Sequence, residues 1–224
     1  MAIRGQVSKC TTETVLDPTG LGKWNYIDLS NGDRRVRIIS AYQSVKSVST
    51  LGTMQSQRLR YFIARGINVC PRKIFITHLT QFISNSMAVG LEVILTIDSN
   101  EHLVKGRLAK QLQHLGLAEA YCTKFDSDGG PASFFRGKHQ IDGIWYTRNV
   151  IPTAVSFCPF HFGVGDHRMY TVDFQLTSVL GELSVPLHVI NKRRLICTNK
   201  IVVNRYLERA EKQLTLHNIP QKIQ

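Results

Sequence analysis

Leu91-Glu92-Val93-Ile94-Leu95-Thr96-Ile97-Asp98-Ser99-Asn100 is the stretch on which the reading of this chain turns. From Leu91 to Ile97 the residues are almost continuously apolar, the pattern of a strand buried on both faces at the centre of a sheet. Asp98 and Asn100 break the run where the strand leaves the core. A carboxylate there costs stability unless it is paired, hydrogen-bonded or bound to a metal. Two further breaks stand in Gln140-Ile141-Asp142-Gly143-Ile144-Trp145 and in Gly165-Asp166-His167-Arg168. Three such breaks, one carrying an adjacent Asp-His, point to one polar site assembled from distant parts of the chain.

Working outward from Leu91, strands and helices interleave. Trp24 to Leu29 alternates as a strand, and Asn31-Gly32 is a two-residue hairpin signal. The return strand, Arg35 to Tyr42, places Val36, Ile38, Ser40 and Tyr42 on one face, with Arg35 and Arg37 on the other. Asp17-Pro18-Thr19-Gly20-Leu21-Gly22 reads as a turn, and Thr50 to Arg65 as a helix. Behind Pro71, Phe75, Leu79, Phe82 and Ile83 repeat at the spacing of an amphipathic helix that Gly90 closes. Leu108, Leu112 and Leu115 predict a short helix stopped by Gly116. Gln140 to Tyr146 and Arg168 to Phe174 read as strands, with Ser127 to Pro131 a loop. This interleaving predicts an α/β sandwich over residues 1–175. Residues 176–224 read as a linker-like tail with an exposed helix from Asn204 to Leu214.

The chain carries 28 Lys and Arg against 16 Asp and Glu over 224 residues, a net charge of +12 with pI ≈ 9.7. That balance favours a polyanionic partner, although a merely soluble basic protein gives the same numbers. The cations are spread, in local clusters at Arg34-Arg35-Val36-Arg37, Arg58-Leu59-Arg60, Arg72-Lys73 and Lys192-Arg193-Arg194. The five cysteines are far apart and form no Cys-x-x-Cys pair, which argues against a zinc site and a disulfide framework and fits a reducing compartment. The amino terminus has no apolar signal core, and no apolar run approaches the roughly 20 residues that span a membrane. The expectation is a soluble intracellular protein, nuclear or cytoplasmic.

Each break has its own chemistry and its own plainer reading. An Asp can orient or deprotonate a water, and an Asn two residues on can hold that water or donate to an oxyanion; alone, Asp98-Ser99-Asn100 is also an ordinary Asx-turn. Asp142 inside a strand can orient a histidine by accepting its N–H; alone it is also a paired surface acid. Asp166-His167 offers a metal ligand beside a titratable base; alone it is also a solvated loop. His161 and His167 match no zinc spacing, Gly129-Gly130-Pro131 lacks the end of a phosphate loop, and Trp24 and Trp145 read as core packing.

Taken in order, the three segments resemble the carboxyl-terminal part of the endonuclease/exonuclease/phosphatase superfamily, the deoxyribonuclease I-like fold. That family carries Asp-x-Asn after a central strand, then an Ile-Asp-x-Ile strand, then Ser-Asp-His before a late strand. Its site residue at the end of an earlier strand resembles Ser40-Ala41-Tyr42 here. Asp17 to Trp24, Arg37 to Tyr42 and Asp142 to Trp145 further resemble endonuclease domains that retroelements carry beside a reverse transcriptase. The likeness covers roughly residues 15 to 175.

The resemblance implies a four-layer α/β sandwich that hydrolyses phosphodiesters of DNA with Mg²⁺ or Mn²⁺. By position, Asp98 would activate the attacking water and Asn100 would hold it or the phosphate. His167, oriented by Asp142, would stabilise or protonate the phosphate. Asp166 would contribute to the metal site, and Tyr42 would contact the phosphate or leaving group. Two departures stand out. The family's first segment supplies an Asn and a Glu, the Glu being the principal metal ligand, and this chain starts after it. Glu13 stands in a different context and does not replace it. Gly165 stands where the family has Ser, and Ile97 where it has Gly. The expectation is therefore a truncated retroelement-derived copy missing its first strands, active or inactive and with its metal affinity weakened by the absent Glu, with self-association or partner dependence through the truncated edge. The alternatives are a non-catalytic nucleic-acid-binding or interaction module and a phosphatase of the same fold.

Overall fold

The computed structural model describes residues 1–17, 19–46, 52–163, 165–182 and 200–216. Residues 1–183 and 184–224 form two compact units. In chain order the first unit contains β1 (Thr11–Val15), β2 (Trp24–Asn31), β3 (Arg34–Tyr42), α1 (Met54–Ile63), α2 (Pro71–Ala88), β4 (Glu92–Asp98) and α3 (Arg107–His114). It continues with β5 (Ala118–Glu119), α4 (Ala120–Phe125), β6 (Asp142–Tyr146), β7 (Pro152–Phe157), β8 (Tyr170–Phe174) and α5 (Leu176–Leu180). The described part of the second unit is α6 (Lys200–Leu216), a helix with no buried residue. Lys192-Arg193-Arg194 lies outside the described residues.

Among the described residues, six strands form one sheet in the order β1-β2-β3-β4-β6-β5, and β7 and β8 form a second. The apolar run from Leu91 becomes β4, which sits inside the large sheet, parallel to β3 and antiparallel to β6. The Asn31-Gly32 signal becomes the β2–β3 hairpin. Asn31 pairs with Arg34, and Gly32 takes the positive φ of +57° that such a two-residue turn needs.

Strand alternation gives the large sheet two different faces. Ile39, Ala41, Val93, Leu95, Ile97 and Trp145 point to one, where Phe75, Leu79 and Ile83 of α2 and Leu108 and Leu112 of α3 seal them. Ile27, Leu29, Val36, Ile94, Ile144 and Tyr146 point to the other, under Val155 of β7, Val172 and Phe174 of β8, and Val179 and Leu180 of α5. The helices α2 and α3, the large sheet and the small sheet stack in that order, with α4 packed against β6 and β7. Gly143 belongs to this packing, since a Cβ there would sit 2.5 Å from a methyl of Leu103.

The sequence reading has no counterpart for β1, β5, β7, α4 and α5. These elements are short, and four of the five residues of β1 are exposed, so they carry no periodic apolar signal. Arg168 and Met169, read as the start of a strand, precede β8, which opens at Tyr170. Helix Thr50 to Arg65 is shorter than read, with Thr53 as its cap accepting from Ser56 N.

Much of the basic balance is structural. Arg37 makes two parallel bonds to its cross-strand partner Asp28, 2.7 and 2.6 Å, and covers the Tyr26 ring. Arg58 is 1% exposed and donates to the carbonyls of Leu21, Gly22 and Tyr42. Arg72 ties Ser44 to Asn100 through their carbonyls. Arg37 thus ties β3 to β2, while Arg58 and Arg72 hold the segments that leave β3 and β4. No helix among the described residues is long and apolar enough to cross a membrane.

Candidate active site

The site is a row across the large sheet. Tyr42 at the end of β3 pairs in register with Asp98 at the end of β4, and Asp98 pairs with Asp142 at the start of β6. Register partners share a face, so the row lies on the side that the small sheet covers. One row inward, Asn25, Ser40, Thr96 and Ile144 pair in the same way. The face is thus apolar under β7 and β8 and polar where they stop. A cavity of about 330 Å³ opens there, lined by Asp98, Asp142, Ser40, Thr96, Arg168 and Tyr170 among others.

The small-sheet layer delivers His167 to this row. Its Nδ1 lies 2.8 Å from Asp142 Oδ2. Ser133 to Phe135 run beside it: Arg168 N donates to Ser133 O at 2.7 Å, and Phe135 N to Asp166 O at 2.8 Å. Ser133 Oγ in turn accepts from the backbone N–H groups of Ile141 and Asp142. One buried serine therefore joins the strand that carries Asp142 to the loop that carries His167. Gly165 reaches this loop with φ +113°, a conformation side chains rarely adopt, which accounts for glycine where the family pattern has Ser.

Asn100 locks Asp98. Its backbone N–H donates to Asp98 Oδ1 at 3.0 Å and its side-chain amide to Oδ2 at 3.2 Å, while the same amide donates to Gln43 O at 2.8 Å. This requires φ +44° at position 100, where Asn is tolerated better than most residues. The Asx-turn and the site reading are therefore one structure. Burial, and after it the charge of Asp142, push the Asp98 carboxyl up to about 6. Burial disfavours the His167 imidazolium, but the hydrogen bond and charge of Asp142, with Asp98 and Asp166, outweigh it and raise the pKa.

Asp98, Asp142 and His167 each offer a ligand atom, and these atoms lie within 4.8 Å of one another. The sequence proposed Asp166 as the metal ligand. It stands exposed on the loop beside His167, outside that group of three. Tyr42 holds its place in the row but lines the adjoining cavity, with Arg58 5.9 Å from its ring centroid. Sequence reasoning missed Arg168, whose guanidinium carbon lies 4.2 Å from the Phe160 ring centroid. Its Nε is buried with no hydrogen-bond partner. It also missed Glu119, which is 4% exposed, accepts from Tyr170 OH at 2.9 Å and lies 3.4 Å from Gln140 Nε2. Arg168 follows the Asp-His pair directly, so its alternation with Tyr170 was a usable signal. Glu119 lies in no apolar pattern and offered none.

No protein-family profile matches the sequence, and no curated protein matches it. Solved structures do match. A 3′ phosphatase, NExo from Neisseria, bound to a product DNA hairpin, superposes with TM-score 0.53 at 15% identity, covering 74% of this chain and 71% of its own. The 3′-5′ exonuclease NExo from Neisseria meningitidis gives 0.52 at 16%, covering 73% and 71%. The endonuclease domain of TRAS1, a telomere-specific non-LTR retrotransposon, gives 0.44 at 10%, covering 73% and 68%. At such identities the NExo matches establish a shared fold.

Proposed function

We propose that this chain, which has the deoxyribonuclease I-like fold, is a metal-dependent phosphodiesterase acting on nucleic acid, with DNA as substrate. The observation that carries the reading is the convergence of Asp98, Asp142 and His167 within 4.8 Å at the mouth of a cavity that Arg168 also lines. Retroelement descent is part of the proposal and rests on the ordered segments around Asp17, Tyr42 and Asp142.

A divalent cation fits this donor set. Burial, and after it the facing Asp142 carboxylate, push Asp98 up to about 6, and a cation beside the pair relieves both. Asp98 and Asp142 would hold it, with Asp166 beside His167 as a further oxygen donor. Oxygen ligands suit Mg²⁺ and Mn²⁺. When bound, the ion would neutralise charge developing on the phosphate.

The side chains supply the proton transfers. Asp98, held by both groups of Asn100, accepts the proton of a water as its oxygen attacks phosphorus. The ester P–O bond breaks on the opposite side, and His167 gives its proton to the departing oxygen. Asp142 keeps the ring oriented and charged through the 2.8 Å bond. Arg168 offers its unpaired donors to the phosphate oxygens, the geometry guanidinium suits best. Tyr42 flanks the row on the substrate side.

A second reading, a nucleic-acid-binding module without catalysis, is favoured by one observation: the cluster holds two carboxylates, and an oxygen of Asp142 is committed to His167. One assay separates the two. Supercoiled plasmid is incubated with the protein and Mg²⁺ or Mn²⁺, beside Asp98→Ala and His167→Ala. Nicking lost in both variants supports the enzyme. Absence of nicking with salt-sensitive DNA binding supports the module, and release of phosphate from small monoesters alone supports a phosphatase.

A further inference from the structure

Next to the catalytic cavity is a second one, of about 360 Å³. The two share Ser40 and Ala41. Its lining includes Lys23, Asn25 and Tyr42. Lys23 continues the catalytic row: Tyr42 N donates to Lys23 O at 3.0 Å, so Lys23, Tyr42, Asp98 and Asp142 are successive positions on four neighbouring strands.

Lys23 is unusual for a lysine. It is 8% exposed, yet among the described residues its ammonium has no hydrogen bond and no ion pair. Its contact is the Trp24 ring, 4.8 Å from Nζ to the centroid. Burial of the side chain lowers its pKa, with the charge of Asp17 acting against that and the charge of Arg58 adding to it. Asp17 attracts the ammonium without a hydrogen bond or ion pair to it. That carboxylate accepts from Thr19 N, Thr19 Oγ1 and Lys23 N, at 3.0, 2.6 and 2.8 Å. Arg58, which adds a second positive charge nearby, spends its donors on carbonyls. In the same cavity Asn25 Oδ1 is buried with no donor. The cavity therefore presents one cation and one acceptor that lack hydrogen-bond partners among the described residues, with Asp17 also in its wall and Arg58 nearby.

We propose that Lys23 and Asn25 form a second anion subsite, which takes a backbone phosphate of the nucleic-acid strand beside the one held at Asp98. Lys23 donates to a phosphate oxygen, and Asn25 accepts from a hydroxyl or amino group of the adjoining nucleotide. Neighbouring strands lie about 4.8 Å apart, so two steps separate Lys23 from Asp98 by roughly 10 Å. A strand lying across the sheet reaches both. This inference rests on the nucleic-acid reading above, but its test does not.

The test is a titration of the isotope-labelled full chain with inorganic phosphate in EDTA, followed by NMR at the side chains of Lys23 and Asn25. Saturable shifts at both, abolished by Lys23→Met and kept in Lys23→Arg, support the subsite. No shift there, or shifts confined to the Asp98–His167 region, overturn it, and this is read on the unmutated protein whatever the variants do. In a second arm a single-stranded DNA oligonucleotide is bound at several salt concentrations. Lys23→Met is expected to make the log–log slope shallower by about 0.7, one phosphate contact. An unchanged slope in a protein that binds DNA overturns the assignment to a backbone phosphate. If the chain binds no DNA, the nucleic-acid reading fails and the phosphate titration still decides whether the site exists.

Discussion

The two faces of the large sheet are built by the same strands and serve opposite ends. On the helix side, Val93, Leu95 and Ile97 alternate into a sealed core, all at most 4% exposed. On the other, Ile94, Thr96 and Asp98 step from apolar to polar to charged within one strand. The difference is one residue of register. It teaches that this chain makes its site by leaving one face half covered: α2 and α3 span the whole of their side, while β7 and β8 stop short of the last two rows. The sealed packing lies on the covered face, and the proposed site at the uncovered end of the other.

The comparison breaks most visibly through His167. His167→Ala and Asp98→Ala are each expected to lower plasmid nicking by about 10²–10⁴-fold, with no large loss of melting temperature. A large loss of stability in either would show that the polar rows are part of the scaffold. The alternate position gives the opposite result. Leu95→Ala, one step along the same sheet, should cost about 2–5 kcal/mol in denaturant unfolding, with residual nicking per folded molecule unchanged. Gly143→Ala also acts on the helix side, since its Cβ would meet Leu103 at 2.5 Å. It should cost about 1–3 kcal/mol by overpacking, and a neutral result would mean that Leu103 can move aside.

The smallest effect is a matter of pH. Asp98 has a folded pKa of about 6, above the unfolded value near 3.9. The folded chain therefore holds this proton more tightly, and stability falls as pH rises from about 4 to about 6. Asp98→Asn removes the penalty. In EDTA the variant should melt higher than the parent at pH 7, with the gap closing below about pH 4. His167 runs the same way: its raised pKa also stabilises the fold at low pH, and that stability is lost as pH rises through the folded pKa. Asp142→Asn should flatten that loss. Equal melting of Asp98→Asn and parent at both pH values would show that the carboxyl is not destabilised by its surroundings.

Much of this was legible from residue patterns. The apolar run ending at Asp98 marked an interior strand, and the hairpin at Gly32 and the helix behind Pro71 stand where the patterns put them. Local chemistry also predicted that Asn100 would turn back on Asp98. Arginine was misread most. Arg37, Arg58 and Arg72 contributed to a charge balance that suggested a polyanion, and the fold spends all three on carboxylates and carbonyls. Composition counts charges and is blind to their partners. Ser133, Glu119 and Arg168 were not seen because their roles depend on neighbours far along the chain.

By itself the sequence determined which residues alternate, where apolar runs break, and which side chains could do chemistry once exposed. Those are properties of periods two and 3.6, set by local backbone geometry. The tertiary structure alone decided that Tyr42, Asp98 and Asp142 fall in one register row, that His167 arrives from another layer at 2.8 Å, and that Lys23 stands beside the row over the Trp24 ring. Register and layer packing are set by long-range pairing and by which surfaces exclude water. No local pattern encodes the distance between residues that meet only when the sheet closes.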